Sequence, residues 1–389
     1  AALIAVRYFV PFYRKVGEVS AYHHLEDRFG PWARTYAVAM FLLTQMARVG
    51  TILYLVALTL STFVGISIKV IIITIGVLVI IYTILGGIEA VIWTDAIQTL
   101  VLCIGALISV IYLLIDAPGG VSRIFEVAIE NNKFSLGSFG ASISEPTFWV
   151  VILYGLTINL QNFGIDQGFV QRYITARSTE DAKTSVWMGA LAYIPISLTL
   201  FFIGTALYVF YTTQPELLPA DVSGDSVFPY FIVSELPIGI TGIIIAAIFA
   251  AAMSTIDSSL NSSATLILQD IYKRYFRPEA SDQESMVVLY GATFLWGVVG
   301  TGMALLMIGA ESALDVWWEY ASIFSGGMLG LFLLGLISRA KNPAARVITA
   351  RITSTAYMAA LAETDPCRSP GPPVAALRGN RMIKIRRNV

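Results

Sequence analysis

Eight runs of apolar residues, each long enough to cross a bilayer, dominate the sequence, at roughly 32–64, 68–86, 91–115, 147–165, 184–211, 238–268, 286–309 and 313–338. A helix needs about 20 apolar residues to span a hydrocarbon core about 30 Å thick. In that core every backbone N–H and C=O must bond within its own segment, and none of the runs alternates polar and apolar residues as a barrel strand does. The chain is therefore expected to be an all-α polytopic membrane protein with about eight spanning helices. Composition agrees: of 389 residues, 56% are hydrophobic and 13% charged, against about 25% charged in a soluble domain. A formal net charge of −1 leaves no basic face for nucleic acid, and no P-loop or dinucleotide glycine fingerprint occurs. Cys103 and Cys367 form neither a disulfide framework nor a metal motif. His23 and His24 read as interfacial side chains, and no catalytic constellation is assigned, so the chain is not expected to be an enzyme.

The opening stretch, AALIAVRYFVPFYRK, is too short to span and reads as the tail of a helix. Basic residues fix the orientation. Arg14, Lys15, Arg28 and Arg34 precede the first full span; Arg172, Arg177 and Lys183 lie between the fourth and fifth; Lys273, Arg274 and Arg277 follow the sixth; Arg339, Lys341 and Arg346 follow the eighth. By parity all of these share one side, which is therefore the cytoplasmic one. Residues 341–389 are rich in Pro, Gly and Arg and are expected to form an atypical, disordered tail.

Polar residues at membrane depth carry the chemistry. Arg48 stands near the middle of the first full span, either as a clamp for a substrate carboxylate or as half of an ion pair with Asp95 or Asp166. Asp95, at the start of the third span, marks an ion path or is a helix N-terminal acid placed by Gly86 and Gly87. The sixth span carries small residues in two adjacent rows, Ala246, Ala250, Ser254, Ser258, Ser262 and Ala247, Ala251, Thr255, Ser259, Ser263, so it is expected at the centre of the bundle. Ser254, Thr255, Asp257 and Ser258, with Ala251 one turn earlier, are its densest oxygen cluster. Hard cations such as sodium take oxygen ligands of this kind, although such serines also bond back to the preceding turn. Residues 157–167, with Asn159, Gln161, Asn162, Gly164 and Asp166, suit an interrupted helix lining a cavity.

Four segments in order, SAYHHLEDRFG (20–30), IYTILGGIEAVIWTDAIQ (81–98), DQGFVQRYITARS (166–178) and PIGITGIIIAAIFAAAMSTIDSSLNS (237–262), resemble the sodium:solute symporter family, most closely its bacterial sialic acid carriers. The resemblance implies a LeuT-type bundle of two inverted repeats, with solute and Na+ bound at the midplane of a multi-pass plasma (inner) membrane protein. It implies that residues 1–30 hold a stub of the second core helix and its cytoplasmic connection, that 31–340 hold the third to tenth core helices, and that the first core helix is absent, so the bundle is incomplete. It further implies a general sodium site at Ala251, Ser254 and Thr255, a second at Asp95, Ser254 and Ser258 with Asp257 as a further candidate, and solute contacts at Arg48, Asn159, Gln161 and Asn162. Asp257 departs from the sialic acid carriers, which have serine there. The expected function is sodium-coupled symport of a small, carboxylate-bearing, sialic acid-like solute by a monomer in the lipid bilayer. The alternatives are a neutral-sugar symporter, an inactive fragment, or a solute sensor of the same fold.

Overall fold

The computed structural model describes the backbone of residues 1–337 apart from 117, 118, 143–146, 221 and 311, and the same residues' side chains except at 87–90 and 325. The expected tail, 341–389, and Cys367 lie outside the described residues. Among the described residues every regular element is helical: α1 (Val10–Val16), α2 (His23–Phe29), α3 (Pro31–Val64), α4 (Ile68–Asp116), α5 (Gly120–Glu130), α6 (Phe148–Ile165), α7 (Gln167–Thr175), α8 (Thr179–Thr213), α9 (Val227–Ser234), α10 (Ile238–Leu266), α11 (Asp282–Leu306) and α12 (Ala313–Ile337). Seven of the eight expected spans are long and apolar enough to cross a membrane; the eighth run forms the 25-residue α12. The opening residues are helical from Ala2, through a π turn at Ala5–Phe9 into α1, which stops where Gly17 turns to φ 72°, a left-handed conformation open to glycine.

The outer faces of these helices are apolar and unpacked. On α8, Met188, Leu191, Tyr193, Leu198 and Phe201 are each more than 60% exposed. A continuous apolar surface of that kind needs lipid as its solvent. The inner faces form separate cores. One gathers α1, α2, the start of α3 and Met328–Phe332 of α12; a second lies between α3, the first half of α4, α10 and α11; a third joins the second half of α4, α8, α9 and the start of α10.

The second and third expected spans meet without a loop, as the two halves of α4. Val79 shares an apolar crevice with Ile256 and Leu260, while Asp95 bonds to Ser258. In a straight helix sixteen residues rise about 24 Å, yet both positions meet the same turn of α10. The run therefore does not pass α10 in a straight line, and both of its halves pack on that helix. Asp95 lies in the second half of this run and takes its contacts across the bundle, from Ser258 and Arg172.

The small residues of α10 place it centrally, as expected from their spacing. A Cβ on Gly105 of α4 would lie 2.3 Å from the Ala247 Cβ, so the two backbones touch, the approach that small side chains allow. At the basic end, a buried network joins α2 and α3 to the far end of α10 and the π turn that continues it (Ile267–Tyr272). Asp270 Oδ1 accepts from Ser20 Oγ at 2.8 Å and from Arg34 Nε. Arg34 Nη1 also donates to Glu26 Oε2 at 3.0 Å, and Arg274 Nη2 to Glu26 Oε1 at 2.5 Å. Basic residues from distant parts of the chain thus converge at one end, as the charge pattern requires.

Candidate functional site

A single break in the helical backbone organises the site. Asp166 takes extended geometry, φ −72° and ψ 122°, between α6 and α7. Its Oδ1 caps α7 by accepting from the amides of Gly168 at 2.8 Å and Phe169 at 3.4 Å, the ordinary service of an N-cap aspartate. A Cβ at Gly168 would sit 3.0 Å from Asp166 Oδ1 and 3.2 Å from Ser262 Oγ, so glycine lets α7 lie close against α10. Gln167, fully buried, anchors the break: its Oε1 accepts from the Ala21 amide and its Nε2 donates to the Val19 carbonyl, both at 2.8 Å. The interrupted helix expected over 157–167 is present, broken at this one residue.

Beside the break lies a cavity of about 600 Å³. Gln45 and Arg48 of α3 line it, with Asp95 and Thr99 of α4, Asp166, Phe169 and Arg172 at the break, and Ser254, Thr255, Ser258, Ser259 and Ser262 of α10. Five of the six hydroxyls in the two rows thus line this cavity, and Ser263 is fully buried away from it. Some also bond back: Ser254 and Thr255 donate to the Ala251 carbonyl at 3.3 and 3.2 Å, and Ser262 to the Ser258 carbonyl at 2.7 Å. A hydroxyl that donates its proton in this way keeps two lone pairs, so back-bonding and cation ligation are compatible.

Arg48 faces this cavity with no carboxylate in ion-pairing distance among the described residues. Asp166 is spent on capping, and Asp95 pairs instead with Arg172 Nη2 at 2.6 Å. The internal ion pair considered for Arg48 is thus not formed, and its fork is open. A second cavity of about 780 Å³ adjoins the first through Arg48, Phe169, Arg172 and Ser185, and is lined further by Asn159, Asn162, Tyr193 and Trp318. Asn159 also donates to the Gly155 carbonyl at 2.8 Å.

Three expected site residues line neither cavity: Ala251, whose carbonyl takes the Ser254 and Thr255 hydroxyls, Gln161 and Asp257. Asp257 is fully buried, and neither of its carboxylate oxygens has a partner among the described residues. At 100° per residue it lies about 115° round α10 from the face shared by Ser254, Thr255, Ser258 and Ser262, which explains its absence from the cavity lining. In the other direction, sequence reasoning placed Arg172 in a cytoplasmic connection and missed it as a site residue. The usable signal was its position six residues beyond Asp166, where a helix restarting at membrane depth carries it back to the cavity. His24 is a further departure. It is not interfacial but caged between Phe12 and Phe332, with ring centroids 5.2 and 4.9 Å away, and this burial pushes its pKa down to about 4.

The family's sequence profile matches residues 1–344. The chain belongs to the sodium:solute symporter family. It is 38% identical over 362 residues to a sodium/sialic acid symporter of Proteus mirabilis (strain HI4320), covering 92% of this chain and 73% of that relative. It is 35% identical over 338 residues to another from Aliivibrio fischeri (strain ATCC 700601 / ES114), covering 86% and 67%. A solved structure of a Na+-coupled sialic acid symporter, substrate-bound and outward-open, superposes with a TM-score of 0.82 at 36% identity, over 93% of this chain and 80% of that one. The fold is therefore the LeuT-type bundle that the sequence motifs implied, and the protein is a multi-pass membrane protein of a transporter family.

Proposed function

We propose that this symporter carries a carboxylate-bearing, sialic acid-like solute inward together with Na+, as a monomer, by alternating access. The observation that supports this reading is the shared wall: Arg48 opens onto a hydroxyl-lined cavity on one side and, on the other, onto a largely apolar cavity that holds Asn159 and Asn162. In this reading the Ala251 carbonyl and the hydroxyls of Ser254 and Thr255 hold one sodium, while Asp95, Ser254 and Ser258 hold a second. Hydroxyl, carbonyl and carboxylate oxygens are what a hard cation accepts in exchange for water. Arg48 offers the planar fork that matches a carboxylate, and Asn159 and Asn162 supply amides toward hydroxyls of the solute. Each charge moved inward contributes about 2.3 kcal/mol per 100 mV, which drives accumulation. The helix break at Asp166 and the central α10 are the elements against which one repeat rocks.

The test is uptake of radiolabelled N-acetylneuraminate by proteoliposomes under an imposed sodium gradient. Ser254→Ala and Thr255→Ala are expected to abolish the sodium dependence, and Arg48→Ala to abolish solute binding. Unchanged uptake in the serine and threonine variants removes the sodium assignment. Equal binding of neutral sugars by wild type and Arg48→Ala removes the carboxylate clamp and favours a neutral-sugar symporter.

A further inference from the structure

The guanidinium of Arg172 lies where the second sodium of the reading above would lie. Its Nη2 donates to Asp95 Oδ2 at 2.6 Å and to Ser258 Oγ at 3.0 Å, and Ser258 Oγ is itself 3.4 Å from Asp95 Oδ2. One cationic nitrogen thus binds both of the side chains that would ligate the ion. The contact is not a locked core pair: the Arg172 side chain is 40% exposed and that of Asp95 21%, and the second oxygen of Asp95 has no partner among the described residues. The helix beneath is fixed. Gln171 Nε2 donates to Thr265 Oγ1 of α10 at 2.8 Å, and Tyr173 Oη to the Phe163 carbonyl at 3.0 Å. Movement of Arg172 is therefore a change of side-chain rotamer on a stationary helix. Arg172 also lines the second cavity, beside Arg48, Asn159 and Asn162.

The charges round the first cavity decide what such a movement does. Arg48 and Arg172 balance Asp95 and Asp166, and Asp257 lies off the cavity. A sodium ion entering at Asp95 leaves the enclosure one charge positive, and a solute carboxylate restores neutrality. From this geometry we infer that Arg172 is an internal cation that competes with sodium for Asp95 and Ser258, and that sodium displaces its guanidinium into the second cavity, where it joins Arg48 in binding the solute's carboxylate. Arg172 is then the coupling residue: sodium creates the second positive fork that the solute needs. Because coupling between two binding sites is reciprocal, solute strengthens sodium binding by the same factor.

This inference rests on the symport reading, and the experiment separates the two. The purified full chain in detergent is titrated with ²²Na+ in the presence and absence of N-acetylneuraminate, and with N-acetylneuraminate at zero and saturating sodium. Wild type, Arg172→Gln, Arg172→Lys and the exposed control Arg277→Gln are compared. Arg172→Gln is expected to bind sodium more tightly without solute, on the order of tenfold, while the mutual enhancement between sodium and solute collapses toward unity. Arg172→Lys keeps the charge and loses the fork, so sodium affinity stays within about threefold of wild type while solute affinity at saturating sodium falls. Unchanged or weakened sodium binding in Arg172→Gln, or full coupling retained in either variant, overturns the inference. If Arg172→Gln does not fold, solute affinity in Arg172→Lys equal to wild type overturns it alone. Absence of sodium binding in wild type is the distinct outcome that removes the symport reading itself.

Discussion

Removing Arg34 exposes how much the bundle depends on its buried charge network. Arg34 and Asp270 are 7% and 2% exposed. Asp270 takes one oxygen's bonds from Arg34 and Ser20, and its other oxygen has no partner among the described residues. Arg34→Met would leave Asp270 with a single neutral donor, and Glu26 with Arg274 alone. Breaking a buried pair from one side costs about 3–5 kcal/mol, because the remaining charge is desolvated without compensation. Replacing both members with apolar residues of similar volume is often nearly neutral, so Arg34→Met with Asp270→Leu should lie within about 1–2 kcal/mol of wild type. The two single variants then sum to far more than the double, with a coupling energy of several kcal/mol. Denaturant unfolding in micelles, followed by tryptophan fluorescence, measures all four proteins. Single variants that cost less than about 1 kcal/mol, or costs that simply add, would refute the view that this pair staples α3 to the end of α10.

Three further outcomes follow from named contacts. His24, with its pKa pushed down to about 4 by burial, contributes stability that is fully present above its unfolded value near 6.5 and is lost as pH falls from there toward 4, by up to about 3 kcal/mol; thermal melts from pH 7 to 4 should show this slope in wild type and a shallower one in His24→Phe. Gly105→Val should destabilise by about 1–3 kcal/mol through overpacking on Ala247, whereas Gly302→Ala, with nothing within 4 Å of the new Cβ, should leave the melting temperature within a degree or two. Asp257→Leu should raise the melting temperature, since it removes a buried carboxyl with no partner, and should leave sodium titrations unchanged because the side chain is off the cavity; a loss of sodium affinity there would return Asp257 to the ligand set.

The apolar runs and the need to satisfy backbone groups in lipid determined the helical class and the spans, because these depend on local chain chemistry alone. The two rows on α10 announced a central helix, and the amides before Asp166 announced a break, for the same reason: spacing along one helix is visible without its neighbours. Which side chain meets which across the bundle is a different kind of fact. The direction of Asp257 belongs with the local facts, since 100° per residue along α10 already turns it from the hydroxyl face. Asp95 reads as an ion-path or helix-start acid until the packing on α10 sets it against Arg172 and Ser258. Arg172 reads as a loop cation until α7 restarts beneath the cavity. Only the tertiary structure could assign these two, since the charge that a buried side chain meets is supplied by segments 77 to 163 residues away that nothing local positions.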